Sequence, residues 1–202
     1  NVVCFFLCPD ADCSRKNLSD MSVYLSQYYG EKMKTKKVIV VPYNEQWQNA
    51  FEIISSELAA VLGELALSIE HVGSTSVAGL WAKPIIDIDV VIRDNAVLPA
   101  VIEKLETIGY HYEGDLGIAE RYAFRYDDKP YLMPHHLYVC PQNSLELKRH
   151  LCFSDYLRNH PEAIDKYSQI KREGATLFPQ DIDGYIGYKT AVIEDIYREC
   201  GL

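Results

Sequence analysis

Two aspartates stand two residues apart in an otherwise apolar run, Pro84-Ile85-Ile86-Asp87-Ile88-Asp89-Val90-Val91-Ile92. In a strand, residues two apart share a face, so both carboxylates project to the same side. Two like charges this close repel and lose hydration in a core strand. A divalent cation between them, or a solvated edge position, relieves that cost. Apolar residues on both sides of the pair argue against a solvated edge, and hard oxygen ligands suit Mg²⁺ or Mn²⁺. Asp87 and Asp89 are therefore the candidate metal ligands and the centre of the candidate catalytic site.

A second group precedes them. His71-Val72-Gly73-Ser74-Thr75-Ser76-Val77-Ala78 reads as a strand running into a small polar turn that opens a short helix. Gly73 permits a close backbone approach. The free N–H groups of a first helical turn favour phosphate. A plain capped helix has the same pattern, and the aspartate pair downstream is what favours the phosphate reading. His71, Gly73, Ser74, Thr75 and Ser76 are accordingly candidate nucleotide or phosphate contacts. Lys83, just ahead of the acidic strand, adds a cation to the phosphates. A third group is His135-His136-Leu137-Tyr138-Val139. Alternation puts His136 and Tyr138 on one face and His135, Leu137 and Val139 on the other. His136 is the candidate base near an acceptor. Arg121 is a candidate phosphate or carboxylate clamp. Tyr185 and Lys189 share a helix face at i, i+4 spacing, which is also the pattern of an ordinary surface pair.

The elements that position these residues follow from periodicity. Residues 38–41 read as a compact strand, and Asn44 as an N-cap. Trp47, Ala50, Phe51, Ile54, Leu58, Val61 and Leu62 then trace an amphipathic helix. Strands are expected at 66–72, 85–92, 110–113, 121–126 and 135–140. Between the second and third lies a helix capped by Asp94 and ended by Gly109. Helices follow at 144–159, 161–176 and 181–200, with Pro161 suited to a first turn. The predicted fold is α+β, of α/β type: a mixed β-sheet flanked by helices, with a helical C-terminal part.

Composition sets the outer bounds. The chain has 202 residues, 48% hydrophobic and 24% charged, an ordinary globular balance. A net charge of −9 lacks the basic footprint of duplex nucleic-acid binding, so nucleic acid is not the expected partner. No run approaches the roughly 18 apolar residues of a membrane span. Six cysteines at 4, 8, 13, 140, 152 and 200 show no paired C-x-x-C spacing. They read as reduced thiols of a cytoplasmic protein. Residues 1–32 show no sustained period and read as an extension of doubtful status or an over-long start, with Met33 as the natural start of a domain covering 33–202.

Taken together, the motifs resemble the GrpB family, a branch of the nucleotidyltransferase superfamily that is also found fused to dephospho-CoA kinases. The matching stretches are Glu70-His71-Val72-Gly73-Ser74-Thr75-Ser76-Val77, Ala82-Lys83-Pro84-Ile85-Ile86-Asp87-Ile88-Asp89, His135-His136-Leu137-Tyr138-Val139-Cys140 and Leu151-Cys152-Phe153-Ser154-Asp155-Tyr156-Leu157-Arg158-Asn159-His160-Pro161. Tyr167, Lys171, Tyr185 and Lys189 fit as well. The resemblance implies a nucleotidyltransferase-like sheet with the Gly73-Ser74 turn and the Asp87/Asp89 pair at the metal and nucleotide site. It implies a Mg²⁺-dependent transfer from a nucleoside triphosphate, or a related phosphorylated small molecule, to an unknown acceptor. Ala78, Tyr138, Ser154, Leu147 and Val192 depart from the residues usual in the family, and the superfamily's third carboxylate has no counterpart in 136–139. Two further readings follow: a non-catalytic nucleotide- or coenzyme-binding accessory module, and a phosphate-ester hydrolase using the same metal site.

Overall fold

A computed structural model describes residues 37–202. The expected Met33 boundary, the N-terminal extension and Cys4, Cys8 and Cys13 lie outside the described residues.

Helix α1, Gln46–Leu62, opens where the Asn44 side chain accepts the Gln46 N–H at 2.9 Å. Its buried stripe is Trp47, Ile54, Leu58 and Leu62, as the periodicity predicts. Strands β1, Ser68–Val72, and β2, Ile86–Ile92, run antiparallel. The Asp94 side chain accepts from Ala96 N–H ahead of helix α2, Leu98–Glu106, which buries Val101 and Leu105. Strands β3, Tyr110–Gly114, β4, Tyr122–Tyr126, and β5, His135–Pro141, complete the sheet. Three helices follow: α3, Leu145–Asn159, α4, Pro161–Leu177, and α5, Ile182–Glu199.

The strand order is β1-β2-β5-β4-β3. Only β2 and β5 pair in parallel, so the sheet is mixed, and the α+β class with a helical C-terminal part is the one observed. One face carries Ile86, Ile88, Val90, Ile92, Leu137 and Val139 into the main core against α1 and α2. The other face is not apolar throughout. Its far end, Val91 and Cys140, packs on Leu147 of α3. Its near end carries Asp87, Asp89, His136 and Tyr138 toward the C-terminal helices. Those helices have their own core of Phe153, Leu157, Tyr167 and Ile196, which also takes Val77 and Leu80 from the loop between β1 and β2. No helix among the described residues is long and apolar enough to cross a membrane.

Three expectations are corrected. The strand at 38–41 is a single bridge, Val41 to Ala82, because Pro42 has no N–H to extend the ladder and Val38 N–H bonds Pro179 O instead. The short helix after Gly73 is one 3-10 turn, Ser74–Ser76. Cys152 and Cys200, expected as separate reduced thiols, are joined in a disulfide with Cα atoms 6.3 Å apart, because α3 and the end of α5 pack together. Cys140 is a free thiol, as expected, and is buried.

Candidate functional site

The parallel register of β2 and β5 sets Asp87 beside His136 and Asp89 beside Tyr138. All four side chains therefore stand on one face, in the arrangement the alternation predicts. His136 Nδ1–H donates to Asp87 Oδ1 at 2.8 Å. Asp87 Oδ2 lies against Gly73, where a Cβ would overlap it and stand 3.0 Å from Asp87 Cβ and Cγ. Gly73 has φ 69° and ψ −165°, a conformation open essentially to glycine alone. The turn and the acidic strand are thus packed backbone to carboxylate.

Asp89 is fully buried, and His150 Nδ1–H of α3 donates to its Oδ2 at 2.7 Å. Its Oδ1 has no hydrogen-bond partner among the described residues. Burial alone raises both aspartates. At Asp87 the His136 hydrogen bond and charge, with the charges of Lys83 and His150, overcome it and hold the carboxyl below its ordinary value. At Asp89 burial prevails. Burial lowers His150, but the Asp89 hydrogen bond and charge reverse the effect and hold the imidazole above its usual value.

Three lysines converge on the Asp87 side. Lys83 precedes β2, Lys171 lies on α4 and Lys189 on α5. Burial lowers all three; Lys189 further lowers Lys83, Lys189 and Lys83 further lower Lys171, and Asp87 opposes each shift. Lys171 is 3% exposed, rests its ammonium 5.0 Å from the Tyr167 ring centroid, and has no ion pair or hydrogen bond among the described residues. Asp87 only partly offsets burial at this amine, so an arriving anion would favour its charged form. The Asp87 side is therefore built to receive anionic charge.

The turn residues divide into two groups. His71 stacks on Phe51 and Nε2–H donates to Thr75 Oγ1 at 3.0 Å, while Thr75 Oγ1–H donates to Ile85 O at 3.2 Å. Both are turned into the scaffold and tie β1 to the start of β2. Burial, partly opposed by Asp87, pushes His71 down to about 4, so it is neutral. Ser74 and Ser76 face the helices: Ser74 opposes the rise that burial imposes on the Tyr167 phenol, and Ser76 Oγ–H donates to Gly73 O at 2.8 Å with Ser154 Oγ 3.3 Å away. Arg158 Nη2 donates to Ser76 O at 3.3 Å. Arg121 stands apart from the lysines, its guanidinium 4.5 Å above the Tyr138 ring on the Asp89 side.

Sequence reading missed His150, Lys171 as a site residue, and Arg149. Their signal was helical spacing. His150 sits on the inward stripe with Leu147 and Ser154, and Lys171 on the stripe Tyr167, Lys171, Gly174, all buried but His150, which is half-buried.

The sequence profile described as "GrpB protein" matches residues 37–199. This chain belongs to the GrpB family. The crystal structure of conserved protein GrpB from Enterococcus faecalis superposes with a TM-score of 0.71 at 36% identity, covering 80% of this chain and 96% of that one. "UPF0157 protein YqkA" of Bacillus subtilis is 34% identical over 151 residues, 75% of this chain and 43% of YqkA. A dephospho-CoA kinase of Mycolicibacterium paratuberculosis is 27% identical over 186 residues, 80% of this chain and 45% of the kinase. The GrpB unit thus spans under half the length of YqkA and of that kinase.

Proposed function

We propose that this GrpB protein binds a nucleoside triphosphate, or a related phosphorylated small molecule, together with Mg²⁺ (or Mn²⁺), and transfers its nucleotidyl group to an acceptor hydroxyl. The observation that carries the reading is Lys171, a buried lysine with no hydrogen bond or ion pair among the described residues, in the field of Lys83, Lys189 and Asp87. Such a group calls for a multiply charged anion. Polyphosphate supplies one.

The donor set fits a metal carried in on phosphate. Mg²⁺ commonly takes only one or two protein carboxylates and completes its shell with water and phosphate oxygens. Asp89 Oδ1 is an orphaned buried acceptor, and Asp87 Oδ2 is not the oxygen held by His136. Asp87 and Asp89 are the residues that would hold the ion. Bound there, Mg²⁺ would neutralise phosphate charge and orient the leaving pyrophosphate.

The remaining roles belong to the chain itself. Lys83, Lys171 and Lys189 bind the outer phosphates. Gly73 keeps the backbone thin enough for Asp87 to reach the site, and Ser74 and Ser76 shape the turn beside it. His71 and Thr75 hold that turn from behind. His150 fixes the Asp89 rotamer. His136, with Nδ1–H on Asp87, leaves Nε2 to take the proton of the acceptor hydroxyl. Arg121 adds positive charge at the far side.

A second reading, a nucleotide- or coenzyme-binding accessory module, is favoured by one observation. Among the described residues no group of three His, Cys, Asp or Glu is disposed to hold a metal, and β5 offers His136 and Tyr138 where a third carboxylate would stand.

The test is a thermal-shift panel of nucleotides with and without Mg²⁺, on wild type and Asp87→Asn/Asp89→Asn. At 100 times its Kd a ligand adds about 2.7 kcal/mol of stability. The expected result is a Mg²⁺-dependent shift with a triphosphate that the double variant loses. Pyrophosphate release on adding an acceptor supports transfer, free phosphate would mark a hydrolase, and binding without turnover supports the accessory module. No shift with any nucleotide, in folded protein, overturns the nucleotide reading.

A further inference from the structure

The cations around the two aspartates fall into two groups. The lysines act on Asp87, whereas Arg121 acts on Asp89, Tyr138 and Cys140. A second arginine joins the Asp89 side. Arg149 of α3 is next to His150 in sequence and holds its guanidinium 5.6 Å from the Tyr197 ring centroid. Arg121 lies over Tyr138, whose ring centroid is 6.2 Å from that of His150, and Glu146 reaches both His150 and Arg149, which ties the two cations to one neighbourhood. Each arginine lies over a tyrosine ring, Arg121 over Tyr138 and Arg149 over Tyr197. Each also has a buried Nε without a hydrogen-bond partner among the described residues.

Their partners are few. Glu146 is shared, 3.4 Å from Arg149 Nη1 and 3.5 Å from His150 Nε2. Arg121 has no ion pair or hydrogen bond from its side chain among the described residues. A planar guanidinium lying over a ring presents a fork suited to the two oxygens of a carboxylate or phosphate. A buried N–H left unmade is costly, so its retention beside a candidate site points to a ligand.

We propose that Arg121 and Arg149 form a second anion subsite on the Asp89 side, which takes an anionic oxygen group, phosphate or carboxylate, of the acceptor. The assignment to the acceptor rests on the nucleotidyltransfer reading; the subsite itself does not. The acceptor is then an anionic molecule whose hydroxyl reaches His136 while its charged group is held by the arginines. A neutral alcohol is excluded as the preferred acceptor.

The experiment is calorimetric titration of the full chain with inorganic phosphate, and in parallel with acetate, on wild type, Arg121→Gln, Arg121→Lys, Arg149→Gln and Lys171→Met. Two phosphate-binding events are expected in wild type. Arg121→Gln and Arg149→Gln each weaken one of them by about tenfold or more, a change in K of the size that ~1.4 kcal/mol produces. Arg121→Lys keeps the charge but loses the fork, and weakens the same event. Lys171→Met removes the other event. The anion that binds the arginine site more tightly, phosphate or acetate, identifies the acceptor's group. If the arginine variants bind like wild type within twofold while Lys171→Met loses phosphate, the subsite falls and the nucleotide reading stands. If only the arginine variants lose phosphate, the subsite stands and the lysine-based reading falls. If wild type binds neither anion, the subsite is refuted. Arg149→Gln, at a half-buried side chain on α3, remains informative should Arg121→Gln fail to fold.

Discussion

Replacing Gly73 by alanine tests how turn and acidic strand are fitted together. The perturbation has two separable parts. Gly73 sits at φ 69°, ψ −165°, where any other residue costs about 1–3 kcal/mol. The new Cβ would also overlap Asp87 Oδ2, with Asp87 Cβ and Cγ at 3.0 Å, so the carboxylate must move. Moving it breaks the 2.8 Å hydrogen bond from His136. A hydrogen bond to a charged group contributes roughly 1.5–3 kcal/mol when dry, and less here because the Asp87 side chain is 32% exposed. The sum is about 2–4 kcal/mol, a fall in Tm on the order of 5–15 °C for a chain of this size. Urea unfolding should give a lower midpoint at unchanged m. Gly73→Ala/Asp87→Ala should recover about 1 kcal/mol relative to the sum of the single variants, because the backbone strain stays while most of the overlap goes. A destabilisation below about 0.5 kcal/mol, or strict additivity with Asp87→Ala, would refute the close-packed turn.

Three further outcomes are expected. Lys171→Met removes a buried amine that has no hydrogen bond or ion pair among the described residues, so stability should rise by about 1–3 kcal/mol while pyrophosphate binding is lost; unfolding midpoints with and without pyrophosphate check both. His135, 1% exposed, donates Nδ1–H to Met133 O and accepts at Nε2 from the Tyr110 hydroxyl, and burial pushes it down to about 4. The unfolded state then binds the extra proton between about pH 6.5 and 4, so stability falls as pH drops through that window, by roughly 3 kcal/mol from this group; the fall should shrink in His135→Gln, measured by urea unfolding at stepped pH. The Cys152–Cys200 disulfide closes a span of 48 residues, so reduction should cost up to about 4 kcal/mol; dithiothreitol should lower the Tm of wild type and leave Cys152→Ser/Cys200→Ser unmoved.

Much of this architecture was legible because local pattern and tertiary burial agree. The α1 stripe of Trp47, Ile54, Leu58 and Leu62 becomes the core contact that its spacing predicts. Alternation in Ile86-Asp87-Ile88-Asp89-Val90 fixes both faces of β2, and the parallel pairing with β5 then puts His136 beside Asp87. What was illegible required knowing how separate elements meet. The residues after Gly73 looked helical from their small polar types, but Val77 and Leu80 are pulled into the core of the C-terminal helices, which stops the turn after one 3-10 step. Lys189 beside Tyr185 read equally well as a surface pair. Only the packing of α5 on α4 buries Tyr185 and brings Lys189 near Lys171. Cys152 and Cys200 lie far apart in sequence, and no spacing rule joins them.

The unmet polar groups show where the chain gives up stability. Five buried side-chain atoms among the described residues lack hydrogen-bond partners: His71 Nδ1, Asp89 Oδ1, Arg121 Nε, Arg149 Nε and Tyr185 OH. The opposite face of the sheet contributes only His71 Nδ1, whose ring stacks on Phe51 of α1, while its buried histidine, His135, is satisfied at both nitrogens. A sequence selected only to fold would distribute such defects or remove them, since each costs about 1–3 kcal/mol. Here four of the five lie on the face of the acidic pair, with Asp89 Oδ1 and the two arginines on one side and Tyr185 OH of α5 on the other. Local rules broken mostly on one face are the mark of a surface kept for a ligand. The apolar half of the sheet supplies the stability that lets the polar half stay unpaired.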